Sequence, residues 1–368
     1  MSKHLFRSEL KSLNKYIPGK PIEEVKRDYN LTKVVKMASN ENPIGPSSKA
    51  IEAIRKEAAN IHIYPDGSAL DLREKLSNKL GVNADQIMFG NGGEEIIKMI
   101  AYAFIAKDDE VIFAKPSFEL YDIAAYLMGG IAVKVPLTKD FEHDFQAFVE
   151  KVTAKTKIIF VCNPNNPTGN IMSQDKVIYL VENIPDDVVL VLDEAYFEYA
   201  KQNPNYPDGL DILYNRPNTI IIRTLSKVAG LAGLRIGYMI SSKEIVGEMS
   251  KVKNVFNVNR IAQVAGFAAL GDEEHIERTV ALNYESLGMM KDYFIKKGFY
   301  YVPSNANFIW VNVNQDTRIV YEELLKEGVI IRPGFLWGFD EFLRVSSGTI
   351  EQTNTFINKL DIVLKRLG

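Results

Sequence analysis

KIIFVCNPNNPTG at residues 157–169, followed at 188–196 by VVLVLDEAY, is the part of the chain whose reading decides the fold. Each begins as a short apolar run rich in β-branched residues and stops in a cluster of Asn, Pro, Asp or Gly. That is the pattern of a strand buried on both faces and closed by a loop. The pattern repeats outward: 86–89 ends in Gly90–Gly93 before a helical segment at 94–105, 110–114 ends at Pro116-Ser117 before another at 118–127, and 219–223 leads into TLSK. Strands that alternate with helical segments predict an α/β fold, with a large domain whose mainly parallel sheet is covered by helices on both faces. Ligands of such sheets bind beyond the carboxyl ends of the strands, where the polar clusters stand.

Beyond about Asn254 the texture changes. A long helical stretch at 259–297, interrupted at Gly271, is followed by strand-like pieces at 307–313 and 329–332 and a closing helix. This predicts a smaller α/β domain, and the first 35 or so residues are free to pack with it. The expected division is a large domain at 36–255 and a small one built from 1–35 and 256–368.

Composition narrows the ligand. With 44 Lys and Arg against 47 Asp and Glu, the net charge is −3 and basic blocks are absent. Nucleic acid and anionic membranes both need clustered cations, so a small-molecule ligand is expected. The single Cys162 permits no intrachain disulfide and no Cys-based zinc site. Four His residues without HExxH spacing offer little to a catalytic metal, so no metal is expected. The first 16 residues contain no apolar signal region, and no apolar run nears the roughly 20 residues of a membrane span. The expectation is a soluble, cytoplasmic protein.

Four clusters carry chemistry, and each alone has a plain structural alternative. GNGGEE (90–95) places small residues before a helix whose first N–H groups can hold a phosphate, or it is a glycine turn with an acidic first helical turn. It is no dinucleotide fingerprint, because Glu95 stands where the third glycine belongs. NPNNPTG offers amides to a ligand, or simply makes tight turns. Asp193 ends a buried strand, where a carboxylate needs a cation or hydrogen bonds, or it caps a helix. Lys227 follows an apolar strand, where burial would lower its pKa and free its amine as a nucleophile, or it is a solvated surface lysine. Thr224, Ser226 and Arg235 around it match what a phosphate monoester requires.

The set decides more than its members. A phosphate cradle, an aromatic (Phe118), an amide, a carboxylate with a nearby Tyr, a Schiff-base lysine and a second phosphate cradle together answer the needs of pyridoxal 5'-phosphate.

With NKYIPGKPIEEV, KMASNENPIGPS, IHIYPDGSALDLREKL, GNGGEE, KPSFELYD, CNPNNPTGN, LDEAYFEY, RTLSKVAGLAGLRIGY, PSNANFIWV, VIIRPG and FLRVSSGT, the chain resembles the fold-type I, class II pyridoxal-phosphate aminotransferases, and among them the histidinol-phosphate aminotransferases. The resemblance implies that Lys227 forms the Schiff base with the cofactor and then shuttles a proton. It implies that Asp193 pairs with the pyridine nitrogen, that Tyr196 and Asn166 bond the phenolic oxygen, and that Phe118 stacks on the ring. The phosphate falls to Gly93 and Glu94 N–H, Thr224, Ser226 and Arg235. Tyr64 would reach the neighbouring subunit's cofactor phosphate, which implies a homodimer. Arg344 would receive the α-carboxylate, with Asn42 lining that pocket, and Arg332, Arg344 and Tyr16 would clamp a substrate phosphate.

The resemblance also has departures. Gly93-Glu94 stands where relatives often carry Ser or Ala followed by Asp, a change that backbone binding should survive. The bulky GFLWGFDEF (334–342) leaves room for phenylalanine or tyrosine as substrates. The alternatives to a histidinol-phosphate aminotransferase are therefore an aromatic amino-acid aminotransferase and a lyase like the threonine-phosphate decarboxylases.

Overall fold

The computed structural model describes residues 6–13 and 19–368. In chain order the strands are β1 (Val35–Lys36), β2 (Ile87–Gly90), β3 (Glu110–Lys115), β4 (Ile131–Pro136), β5 (Thr156–Cys162), β6 (Val189–Asp193), β7 (Thr219–Thr224), β8 (Gly237–Ile240), β9 (Tyr301–Val302), β10 (Phe308–Asn312), β11 (Val329–Ile330), β12 (Arg332–Pro333) and β13 (Phe342–Ser346). Seven of them form the main sheet, in the order β2-β8-β7-β6-β5-β3-β4. β3 to β7 pair in parallel, and β8 runs antiparallel to both β7 and β2.

The sequence alternation sorts the side chains of these strands to the two faces. On one face Val111, Phe113, Ile158, Phe160, Val191 and Ile222 meet Ile96 and Ile100 of the helix Gly93–Phe104 and Tyr121 of the helix Leu120–Leu127. On the other, Ile112, Ile159, Leu190 and Leu192 meet Val177 and Leu180 of the helix Gln174–Asn183. Both faces are covered, which is why the central strands read as unbroken apolar runs.

Arg223 departs from that rule. It lies on β7 between the cavity-facing Ile222 and Thr224, points to the opposite face, and its side chain is only 2% exposed. Its guanidinium meets Glu194 at 2.7 Å and Asp208 at 2.7 Å, and lies 3.4 Å from the centre of the Phe197 ring. Removing one partner of such a buried pair leaves a charge without compensation, so Arg223→Ala should destabilise the fold by about 3–5 kcal/mol. Urea unfolding of the variant measures this directly; a loss below about 1 kcal/mol would place the pair among the weak surface bridges.

The second layer is an antiparallel sheet in the order β12-β13-β10-β9, with β1 and β11 pairing in parallel nearby. The helices Glu273–Lys297 and Ile350–Leu367 contribute Leu287, Met290, Phe294, Phe356 and Leu360 to its core. The N-terminal helix Ile22–Tyr29 joins it through Val25, which packs with Leu325. The helix Arg260–Leu270, counted with the small domain in the expected division, packs instead on Ser48–Glu57 and Leu70–Leu80 beside the main sheet. Its contact face is Ala262, Ala265, Gly266 and Ala269, small enough for close helix approach. By packing, the change of texture therefore falls nearer the helix Glu273–Lys297 than at 256.

Candidate active site

A cavity of about 210 Å³ opens where β5, β6 and β7 end, with the second layer closing it from above. Lys227, Asp193, Tyr196, Asn166, Phe118, Gly93, Glu94, Thr224, Ser226, Arg235, Arg332 and Arg344 all line it. Residues spread over some 250 positions of sequence meet there because consecutive parallel strands deliver their ends to one edge of the sheet.

One end of the cavity is a cup of hydrogen-bond donors. The helix Gly93–Phe104 starts there, capped by Gly92 at φ +78°, and its first N–H groups have no partner within the helix. A side chain at Gly92 would be strained by that φ and would also fall 2.9 Å from Arg235 Nη2. Arg235 is held to Ala232 O at 3.3 Å, while Thr224 Oγ1 donates to Ile236 O at 3.1 Å and accepts from Ser226 N–H at 3.1 Å. Ser226 Oγ is buried with no hydrogen-bond partner among the described residues. N–H groups, a guanidinium and an unpartnered hydroxyl together fit a phosphate.

In the middle of the cavity lies Asp193, buried at the end of β6. Its carboxylate accepts from Tyr121 OH at 2.7 Å and from Ala195 N–H at 3.2 Å, both neutral donors. Burial raises its pKa, and the Tyr121 bond opposes that rise. A buried carboxylate held by neutral donors suits a cationic ring nitrogen. Tyr121 in turn stacks on Phe160 at 4.5 Å and meets the edge of Phe118 at 5.8 Å. Sequence reasoning passed over Tyr121; its only signal was a position one helical turn after Phe118.

Across from Asp193, Lys227 extends over the Tyr196 ring, with Nζ 5.8 Å from the ring centre and 3.3 Å from Ser39 O. Burial, and then the charge of Arg344, lower its pKa to about 8. Tyr196 OH accepts from Asn40 Nδ2 at 2.9 Å, and burial pushes its phenol well above the usual range, so it stays a neutral hydroxyl. Ser346 Oγ holds Asn40 Oδ1 at 2.7 Å.

The far end of the cavity is cationic. Arg332 and Arg344 are register partners on β12 and β13, both buried. Arg344 donates to Asn166 Oδ1 at 2.5 Å and to Ala38 O at 2.5 Å, and Trp337 lies 5.4 Å from Arg344 and 5.8 Å from Arg332. Of the amides in NPNNPTG, Asn166 alone lines the cavity; Asn163 and Asn165 bond Met172 and Pro116 and shape the turn.

Two expected residues stand elsewhere. Asn42 lies outside this cavity, its amide donating to Val228 O at 2.8 Å and Thr279 Oγ1 at 3.1 Å, and Asn40, two residues earlier, takes the place facing Tyr196. Tyr64 is 75% exposed and stacks on Phe256 at 4.4 Å, away from its own chain's cavity. Tyr16 falls outside the described residues.

Comparison with known proteins agrees with this geometry. The model of the family "Aminotransferase class I and II" matches residues 32–360. The histidinol-phosphate aminotransferase of Moorella thermoacetica is 45% identical over 97% of this chain and 92% of its own length. The chain belongs to the class I and II aminotransferases, among the histidinol-phosphate aminotransferases. A second member of this family, from Caldicellulosiruptor saccharolyticus, is 42% identical over 98% of this chain and 100% of its own. The aminotransferase fold is equally plain. The crystal structure of histidinol-phosphate aminotransferase from Sinorhizobium meliloti in complex with pyridoxal-5'-phosphate superposes with a TM-score of 0.91 at 26% identity, covering 100% of this chain and 99% of that one.

Proposed function

We propose that this aminotransferase exchanges an amino group between glutamate and imidazole-acetol phosphate, giving 2-oxoglutarate and histidinol phosphate in histidine biosynthesis. The observation that carries the reading is a single cavity with Lys227 at its centre, a donor cup at one end and paired Arg332 and Arg344 at the other. The cofactor is pyridoxal 5'-phosphate, whose carbonyl takes up the amino group and whose cationic ring accepts the electron pair left on the substrate. Gly93, Glu94, Thr224, Ser226 and Arg235 would hold its phosphate. Asp193 would keep a proton on its ring nitrogen, Phe118 would cover the ring, and Tyr196 and Asn166 would bond its phenolic oxygen.

Lys227 would anchor the cofactor through Nζ. With substrate bound, the same amine would hold and move the proton of the substrate α-carbon. Arg344 binds the α-carboxylate of glutamate, and Arg332 with Arg344 binds the phosphate of the other substrate, since guanidinium forks suit both oxyanions.

The working unit in this reading is a cytoplasmic homodimer. Tyr64 reaches the neighbouring subunit's cofactor phosphate, and the exposed apolar side chains Ile61, Ile63 and Val255 support contact between copies. Among the described residues no helix is long and apolar enough to cross a membrane.

Glutamate with a panel of acceptors tests the reading. We expect imidazole-acetol phosphate to exceed phenylpyruvate and 4-hydroxyphenylpyruvate in kcat/KM by about 10²-fold, the scale of one charged contact. Turnover confined to the aromatic keto acids overturns the substrate assignment. Carbon dioxide from phosphothreonine without amino transfer from glutamate overturns the reaction class.

A further inference from the structure

Glu95 breaks the glycine pattern of GNGGEE and has no part in the proposed chemistry, yet its carboxylate is heavily engaged. Oε2 accepts from Asn91 N–H at 2.6 Å and from the Asn257 side-chain amide, while Oε1 accepts from Asn91 Nδ2 at 3.3 Å and Asn254 Nδ2 at 3.0 Å. One carboxylate thus ties two loops together. The first, Asn91-Gly92-Gly93, opens the donor cup of this chain's own cavity. The second, 254–257, carries Phe256, on which Tyr64 stacks with ring planes 16° apart.

The surroundings strengthen the link. Asn91, Asn254, Asn257, Phe256 and Tyr64 line one cleft, distinct from the main cavity. Lys253 Nζ donates to Gly67 O, which fixes the start of the second loop to the turn after Tyr64. Four amide donors around a carboxylate form charge-assisted bonds, each stronger than a neutral pair. A glycine at 95 would leave both loops without this common anchor.

We infer that Glu95 is a positioning residue that couples the two active sites of the dimer: it holds its own chain's phosphate cup and, through Asn254, Asn257 and Phe256, the Tyr64 presented to the partner's cofactor. The inference rests on the proposed reading of Tyr64 as a residue that acts across the dimer. It predicts an effect on a neighbouring, unaltered site, which a purely local packing role does not produce.

Hybrid dimers purified through two different affinity tags test it. In the reference hybrid one subunit carries Lys227→Ala, so the lysine-dependent visible absorbance of bound pyridoxal phosphate reports the wild-type subunit alone. Adding Glu95→Ala to the Lys227→Ala subunit should weaken cofactor binding at the wild-type site by about tenfold, the scale of hydrogen bonds to a charged group. An unchanged Kd overturns the coupling. A parallel hybrid with Tyr64→Phe in place of Glu95→Ala separates the two ideas. Weakening with Tyr64→Phe alone leaves the shared site standing and removes Glu95 from it, whereas weakening with neither overturns the shared site and the coupling with it. If Glu95→Ala gives no folded dimer, Glu95→Gln carries the test. Its carbonyl oxygen can still accept from Asn91 N–H, but its NH2 then faces the Asn91 and Asn254 amides and the charge is lost, so about a threefold shift is expected and none overturns the proposal.

Discussion

Lys227→Ala should lower kcat for amino transfer by about 10⁴-fold or more, since in the proposed function this residue is both the covalent anchor and the acid–base group. The pocket around Nζ explains why no neighbour substitutes. The Tyr196 ring centre lies 5.8 Å from Nζ, and burial holds its phenol far above the range in which it could serve as a base near neutral pH. The donor cup does not include Lys227, so the variant should still bind pyridoxal phosphate while losing the lysine-dependent visible absorbance. Retained turnover would overturn the role given to this residue. The wild-type chain adds a pH signature. With a pKa lowered to about 8, the amine is increasingly neutral, and so nucleophilic, as pH rises through that value. Cofactor uptake by the empty chain should therefore accelerate between about pH 6 and 8 and level off above it. Arg344 is one cause of the lowered value, so its neutralisation should move the levelling point upward.

Much of this site was legible because parallel strands simplify it. A residue that follows an apolar run is at the carboxyl edge of the sheet, and Asp193, Thr224 and Lys227 could be placed there from sequence. Legibility fades where position depends on packing between layers. β4 was missed because it is an edge strand with only Val135 fully buried, so its residues give no continuous apolar run. β8 was missed because its four residues stand directly behind a glycine-rich turn. Asn40 and Asn42 share one motif, and only the contact with Tyr196 selects the first. Tyr121 reads as a core aromatic and is one, fully buried against Phe160, while its hydroxyl alone reaches Asp193. The adjacency of Arg332 and Arg344 comes from antiparallel register after a short helical turn at Gly334–Trp337, which residue types do not specify.

Asp193→Asn tests the buried carboxylate of the same cavity, and here the expected loss is in kcat with little change in cofactor affinity. A carboxylate stabilises the charge on a protonated ring nitrogen, and an amide of the same shape does not, so the electron-accepting power of the ring falls as the reaction develops. Loss of one aligned electrostatic group of this kind reduces kcat by about 10²–10³-fold. In the proposed function the phosphate is held by the donor cup and not by Asp193, so Kd for pyridoxal phosphate should change by less than about tenfold. Tyr121→Phe supplies the graded case. Its hydroxyl bond lowers the pKa of Asp193 against the raising effect of burial, so removing it pushes the carboxyl further up and weakens the charged form. The expected drop in kcat is about tenfold, one hydrogen bond to a charged group. Steady-state kcat with titrated cofactor affinity checks both variants. A kcat for Asp193→Asn within tenfold of the parent would mean that the buried carboxylate is held for the fold, through Tyr121 and Ala195, and not for the ring.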